Sequence, residues 1–149
     1  MSKMSNNEIE IVLVEDNPND AELITRVLRK HNMANKLVVL KDGVEALEFF
    51  LGQGAFANRA VSPPKVILLD LKLPKVNGIE VLRRMKSDER TRHIPVVILT
   101  SSTEQRDLDE AYALGANSFV TKPIKFNEFA KVVAELGLYW VILNKSPVQ

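Results

Sequence analysis

The chain has 149 residues, 46% of them apolar, which suits one domain with its own core and is short for two. Twenty Lys and Arg residues oppose nineteen Asp and Glu, leaving a net charge of +1, so no global field points to nucleic acid or to a membrane surface. There is no cysteine, which excludes disulfides, thiolate metal sites and thiol nucleophiles and suits a reducing compartment.

The segment from Met1 to Glu8 is polar and reads as a tail rather than a signal peptide. No apolar run approaches the roughly 20 residues of a membrane span, so a cytoplasmic location is expected. From Ile9 to Val14 the chain is short, β-branched and apolar, as in a strand buried on both faces. Asn17-Pro18 then reads as a cap with proline at the first helical position, and Ala21, Ile24, Val27 and Leu28 supply the apolar stripe of that helix. Leu37 to Leu40 is a second strand, Asp42-Gly43 turns into a helix around Val44 to Leu51, and Gly52 to Pro64 is a loop.

Val66 to Asp70 is a third strand, ending in a carboxylate, with a helix carrying Ile79, Val81, Leu82 and Met85 beyond Gly78. Val96 to Thr100 makes a fourth strand. Thr103 is expected to cap the next helix, which Gly115 closes before a fifth strand at Ser118 to Thr121. Past Lys122-Pro123, a last helix from about Phe126 to Leu143 completes five strand-helix units, the pattern of a parallel sheet covered by helices on both faces.

In such a sheet, ligands bind beyond the carboxyl ends of the strands. Glu15 and Asp16 follow the first strand, Asp70 ends the third, Thr100 the fourth and Lys122 follows the fifth. Each alone has an ordinary structural explanation; together, at four strand ends, they converge on one cleft. Three carboxylates in a small space repel one another and need a cation. Oxygen donors without His or Cys favour Mg²⁺, held directly by Asp16 and Asp70, through water by Glu15, and by the backbone carbonyl of Lys72. Lys122 is expected to pair with Asp70 and then with phosphoryl oxygens.

Glu15-Asp16, Asp70 within Leu-Leu-Asp-Leu-Lys-Leu-Pro, Gly78, Thr100 and Lys122-Pro123 together resemble the signature of response-regulator receiver domains, over about Ile9 to Leu143. The resemblance implies a flavodoxin-like (CheY-like) α/β fold with strand order 2-1-3-4-5, a receiver over residues 9–143, tails at 1–8 and 144–149, and a cis Lys122-Pro123 peptide. It also implies that Asp70 accepts a phosphoryl group from a sensor histidine kinase. Thr100 and Phe119 would form the switch, Phe119 turning inward as Thr100 moves toward the phosphate. Glu15 to Asp20, Leu71 to Lys75, Ile94 to Ser102 and Leu138-Tyr139-Trp140 are similar, more narrowly, to the single-domain regulators paired with cyanobacterial and bacterial phytochromes.

In the last helix, Phe129, Val133, Leu136, Trp140 and Leu143 suffice to cover the sheet. Val132, Leu138, Tyr139, Val141 and Ile142 then leave a second apolar face, expected to be a homodimer contact through Val132, Tyr139 and Ile142, unless the tail from Asn144 folds over it. Two other functions compete. A phosphatase of the haloacid dehalogenase type would need a second aspartate two residues after Asp70, where this chain has Lys72. A receiver-like module working by constitutive contact would not need the intact set of acids, Thr100 and Lys122. A domain of this length leaves no room for a DNA-binding output, so partners are expected to carry the signal rather than nucleic acid or membrane.

Overall fold

In a computed structural model, residues 11–31, 37–54, 63–101 and 104–137 are described. Five strands, β1 (Ile11–Val14), β2 (Leu37–Leu40), β3 (Val66–Asp70), β4 (Val96–Thr100) and β5 (Ser118–Thr121), alternate with five helices. These are α1 (Pro18–Lys30), α2 (Gly43–Leu51), α3 (Gly78–Ser87), α4 (Gln105–Ala113) and α5 (Phe126–Glu135). All strand pairs are parallel, in the order β2-β1-β3-β4-β5 that the resemblance implied.

The central strands β1, β3 and β4 are buried at every position and apolar up to the terminal Asp70 of β3 and Thr100 of β4, because both faces are covered. Their side chains alternate between two cores. Val12, Val14, Ile67, Leu69, Val96 and Ile98 pack with Phe49 and Phe50 of α2, Val81, Leu82 and Met85 of α3, and Ala111 of α4. Ile11, Leu13, Leu68, Leu99 and Val120 pack with Ile24 and Leu28 of α1 and with Phe129, Val132 and Val133 of α5. The sheet is therefore doubly wound, and the register aligns Val14 with Leu69, Asp70 with Leu99, and Thr100 with Thr121 at its carboxyl edge.

Helix α1 opens as its sequence implies: the Asn17 side chain accepts hydrogen bonds from the N–H groups of Asn19 and Asp20, and Pro18 takes the first helical position. Asp42 caps α2 and Asn77 caps α3 in the same manner. Three expectations change. The cap of α4 is Glu104, whose side chain makes no capping bond, and the expected cap Thr103 lies outside the described residues. Helix α5 ends at Glu135 rather than near Leu143, because Gly137 takes a left-handed conformation (φ 77°) and its N–H bonds back to Ala134. Val132, expected on a free face for dimerisation, is 8% exposed and packs into the α1/α5 core of its own chain. Tyr139 and Ile142 lie outside the described residues.

Candidate functional site at the carboxyl edge of the sheet

Glu15 leaves the end of β1 with its N–H bonded to the Leu40 carbonyl, which holds it between β1 and β2 and buries its side chain. One oxygen, Oε2, accepts from the N–H of Asn17 at 3.1 Å. Asp16 beside it is exposed. Asp70 ends β3 and is buried, its Oδ1 accepting from the N–H of Lys72 at 3.2 Å. Thr100 is buried at the end of β4. The N–H of Lys122 bonds to the Thr100 carbonyl at 2.8 Å, so β4 and the segment after β5 are tied at the site.

The Lys122 ammonium lies 2.6 Å from Glu15 Oε1, 3.2 Å from Asp70 Oδ2 and 3.2 Å from Asp20 Oδ2. Burial lowers the affinity of Lys122 for its proton, but the contacts with Glu15 and Asp70 outweigh that and raise its pKa above the ordinary lysine value. For Glu15, burial dominates and raises the carboxyl pKa; Lys122 and the Asn17 N–H oppose it, and the charge of Asp70 adds to it.

Carboxylate oxygens of Glu15, Asp16 and Asp70 all lie within 4.8 Å of one another, close enough to share one ion. Glu15 Oε1 is fully enclosed, and among the described residues it accepts no well-directed hydrogen bond despite the nearby ammonium. Three carboxylates within reach of one ion, with no His or Cys among them, fit a hard divalent cation such as Mg²⁺, directly or through its water.

Of the predicted site residues, Glu15, Asp16, Asp70, Thr100 and Lys122 come together as expected, and Lys122-Pro123 is cis. Phe119 is half-buried on β5 and meets Tyr112 of α4 edge to face, with ring centroids 6.3 Å apart. It stands behind the site rather than in it. Sequence reasoning missed Asp20 as a partner of Lys122. Its position four residues after Asp16, one helical turn into a helix capped at Asn17, was the available signal. Beside Lys122 opens an apolar recess of about 260 Å³, lined by Leu23, Ile24, Val27, Pro123 and Ile124 and flanked by Arg26 and Lys30.

Known proteins are similar to this chain in sequence and in fold. The chain is 43% identical over 138 residues to the probable methanogenesis regulatory protein FilR2 of Methanothrix harundinacea, covering 92% of this chain and 86% of that protein. It is 38% identical over 142 residues to the response regulator Rcp1 of Synechocystis, covering 95% of each. The manganese-bound structure of Rcp1 superposes with a TM-score of 0.73 over 95% of this chain and 97% of that one. The structure of the bacteriophytochrome response regulator AtBRR matches with a TM-score of 0.82 at 51% identity, covering 92% of this chain and 98% of that one. Residues 11–134 match the model of the response regulator receiver domain, and the chain belongs to that family.

Proposed function

We propose that this protein is a phosphorylation switch in which the Asp70 carboxylate accepts a phosphoryl group from a phosphohistidine of a sensor histidine kinase. One observation carries the reading: Asp70 presents one oxygen to Lys122 at 3.2 Å while its carboxylate shares a 4.8 Å cluster with Glu15 and Asp16. Asp16, Asp70 and the Lys72 carbonyl would hold Mg²⁺, with Glu15 reaching it through water. The manganese-bound form of Rcp1 supports a divalent ion here. The chemistry supplied by the bound ion is neutralisation of charge on the phosphoryl oxygens.

In the transfer, an Asp70 oxygen bonds to phosphorus as the phosphorus–nitrogen bond of the donor breaks, its electron pair returning to the imidazole. Lys122 presents its N–H groups to the phosphoryl oxygens, and the Thr100 hydroxyl approaches them as its loop moves inward. Space left by Thr100 is taken by Phe119, which changes the α4 contact at Tyr112. The protein turns over no external substrate: the position where a phosphatase would carry its acid is Lys72, whose N–H instead holds Asp70.

A kinase has to bring its phosphohistidine to Asp70, and the recess of Leu23, Ile24 and Pro123 beside Lys122 offers the apolar contact. The likeness to AtBRR and Rcp1 makes a phytochrome the kinase we favour, and the cytoplasm the compartment we assign. The receiver occupies residues 9–143 between tails at 1–8 and 144–149. Apolar residues after Gly137, Tyr139 and Ile142 among them, are read as a homodimer contact, now without Val132.

The test is incubation with acetyl phosphate and Mg²⁺, reading intact mass for the wild type and Asp70→Asn. A metal-dependent, base-labile adduct on the wild type alone is expected. If both the small donor and the kinase leave the wild type unmodified, a constitutive binding module becomes the better reading.

A further inference from the structure

Asp20 has no part in the mechanism above, yet its carboxylate oxygen lies 3.2 Å from the ammonium at the centre of the site. It is the third residue of α1, the position from which an acidic side chain often reaches back to the N–H of the cap residue. Here that N–H, on Asn17, is already taken by Glu15 Oε2. Relieved of that task, the Asp20 side chain crosses to Lys122, a residue 102 positions away in sequence.

We infer that Asp20 is a positioning residue that holds the Lys122 ammonium against the phosphoacceptor. Resting on the switch reading, this inference assigns a residue that the reading leaves idle. An ammonium has three N–H donors, and three carboxylates surround this one. Glu15 and Asp70 both belong to the cluster that can share a cation, so their hold on Lys122 is divided once an ion binds. Asp20 lies outside that cluster, so its grip does not compete with the ion. It is anchored, because its own N–H is bonded to the Asn17 side chain at 3.0 Å and Asn17 is in turn bonded to Glu15. Lys122 is itself only 12% exposed on its side chain, so a single hydrogen bond selects among few orientations. With Asp20 in place, one N–H stays on the carboxylate at the α1 side and the others remain directed at Asp70 and whatever it carries.

The test compares wild type, Asp20→Ala and Asp20→Asn in the full chain. Asp20→Ala is expected to slow Mg²⁺-dependent phosphorylation by acetyl phosphate about fivefold, the upper range for a partly exposed ion pair, with Mg²⁺ affinity unchanged. Asp20→Asn keeps an acceptor oxygen and is expected to recover most of the rate. Relaxation of the Lys122 ¹⁵Nζ signal gives a second readout, with an ordered ammonium in the wild type and Asp20→Asn and a mobile one in Asp20→Ala. A wild-type or faster rate in Asp20→Ala, or a parallel fall in Mg²⁺ affinity, overturns the inference. Should the wild type take no phosphate from acetyl phosphate or from the kinase, the switch reading fails, and the order of Lys122 in the two variants still decides what Asp20 does.

Discussion

The ammonium of Lys122 and the Oε1 atom of Glu15 are 2.6 Å apart, in a site where the Glu15 side chain is only 1% exposed. A buried ion pair gains little over two apolar groups, but removing one partner strands the other charge. Lys122→Met is therefore expected to destabilise the metal-free protein by about 2 kcal/mol, below the fully buried range because the cleft opens to solvent. It also removes the cation that competes with a metal for Glu15 and Asp70. Urea unfolding with and without Mg²⁺ checks both effects: magnesium should stabilise the variant more than the wild type. Equal stabilisation of the two would show that Lys122 and the ion do not share these carboxylates.

Phe119 and Tyr112 join β5 to α4 at a ring separation of 6.3 Å, and Thr100 stands buried at the end of the neighbouring strand. Thr100→Val keeps the volume and removes the hydroxyl. The variant is expected to accept phosphate yet lose most of the phosphorylation-dependent change in the ¹⁹F signal of a fluorinated Phe119. A full response without the hydroxyl would separate Phe119 from Thr100.

Asp42 gives a pH dependence with a definite sign. Its carboxylate accepts from the Glu45 N–H at 2.8 Å and pairs with Lys75 at 3.3 Å, and these contacts hold its pKa below the ordinary 3.8, the Glu45 hydrogen bond first. The folded value lies below the unfolded one, so the contribution is present above pH 3.8 and is lost as pH falls through the folded value. Asp42→Ala is expected to cost about 1 kcal/mol at neutral pH, as loss of a helix cap. Asp42→Asn retains an acceptor and should cost less at neutral pH while flattening the acid limb. Denaturation across an acid pH series distinguishes them.

Two glycines let backbone approach the site. A Cβ on Gly78 would run into the Asp70 carbonyl oxygen and lie 2.6 Å from Leu71 Cα; on Gly43 it would run into the Val76 carbonyl group. The obstructing atoms are main chain and cannot swing aside. Gly78→Ala and Gly43→Ala are each expected to lose about 2 kcal/mol in urea unfolding, as overpacked sites do. Amide NMR shifts around Asp70 to Val76 should move in both, and an unperturbed loop would contradict the packing.

Most of the architecture is legible locally. The apolar strands, the cap at Asn17, the turn at Asp42-Gly43, the acids at the ends of β1 and β3 and the threonine ending β4 are short-range signals, each readable within a few residues. The α5 boundary is not legible in the apolar spacing, which continues past Gly137, because the left-handed backbone there, not hydrophobicity, ends the helix.

By itself the sequence determined the five strand-helix units and the set of groups carried to the sheet edge, since periodicity and strand-terminal chemistry are properties of neighbouring residues. Only the tertiary structure decided that Asp20 grips Lys122, that Val132 is buried within its own chain and that Phe119 faces Tyr112. Those contacts depend on how the helices pack across the sheet, an arrangement set by mutual burial over the whole chain that no local pattern records.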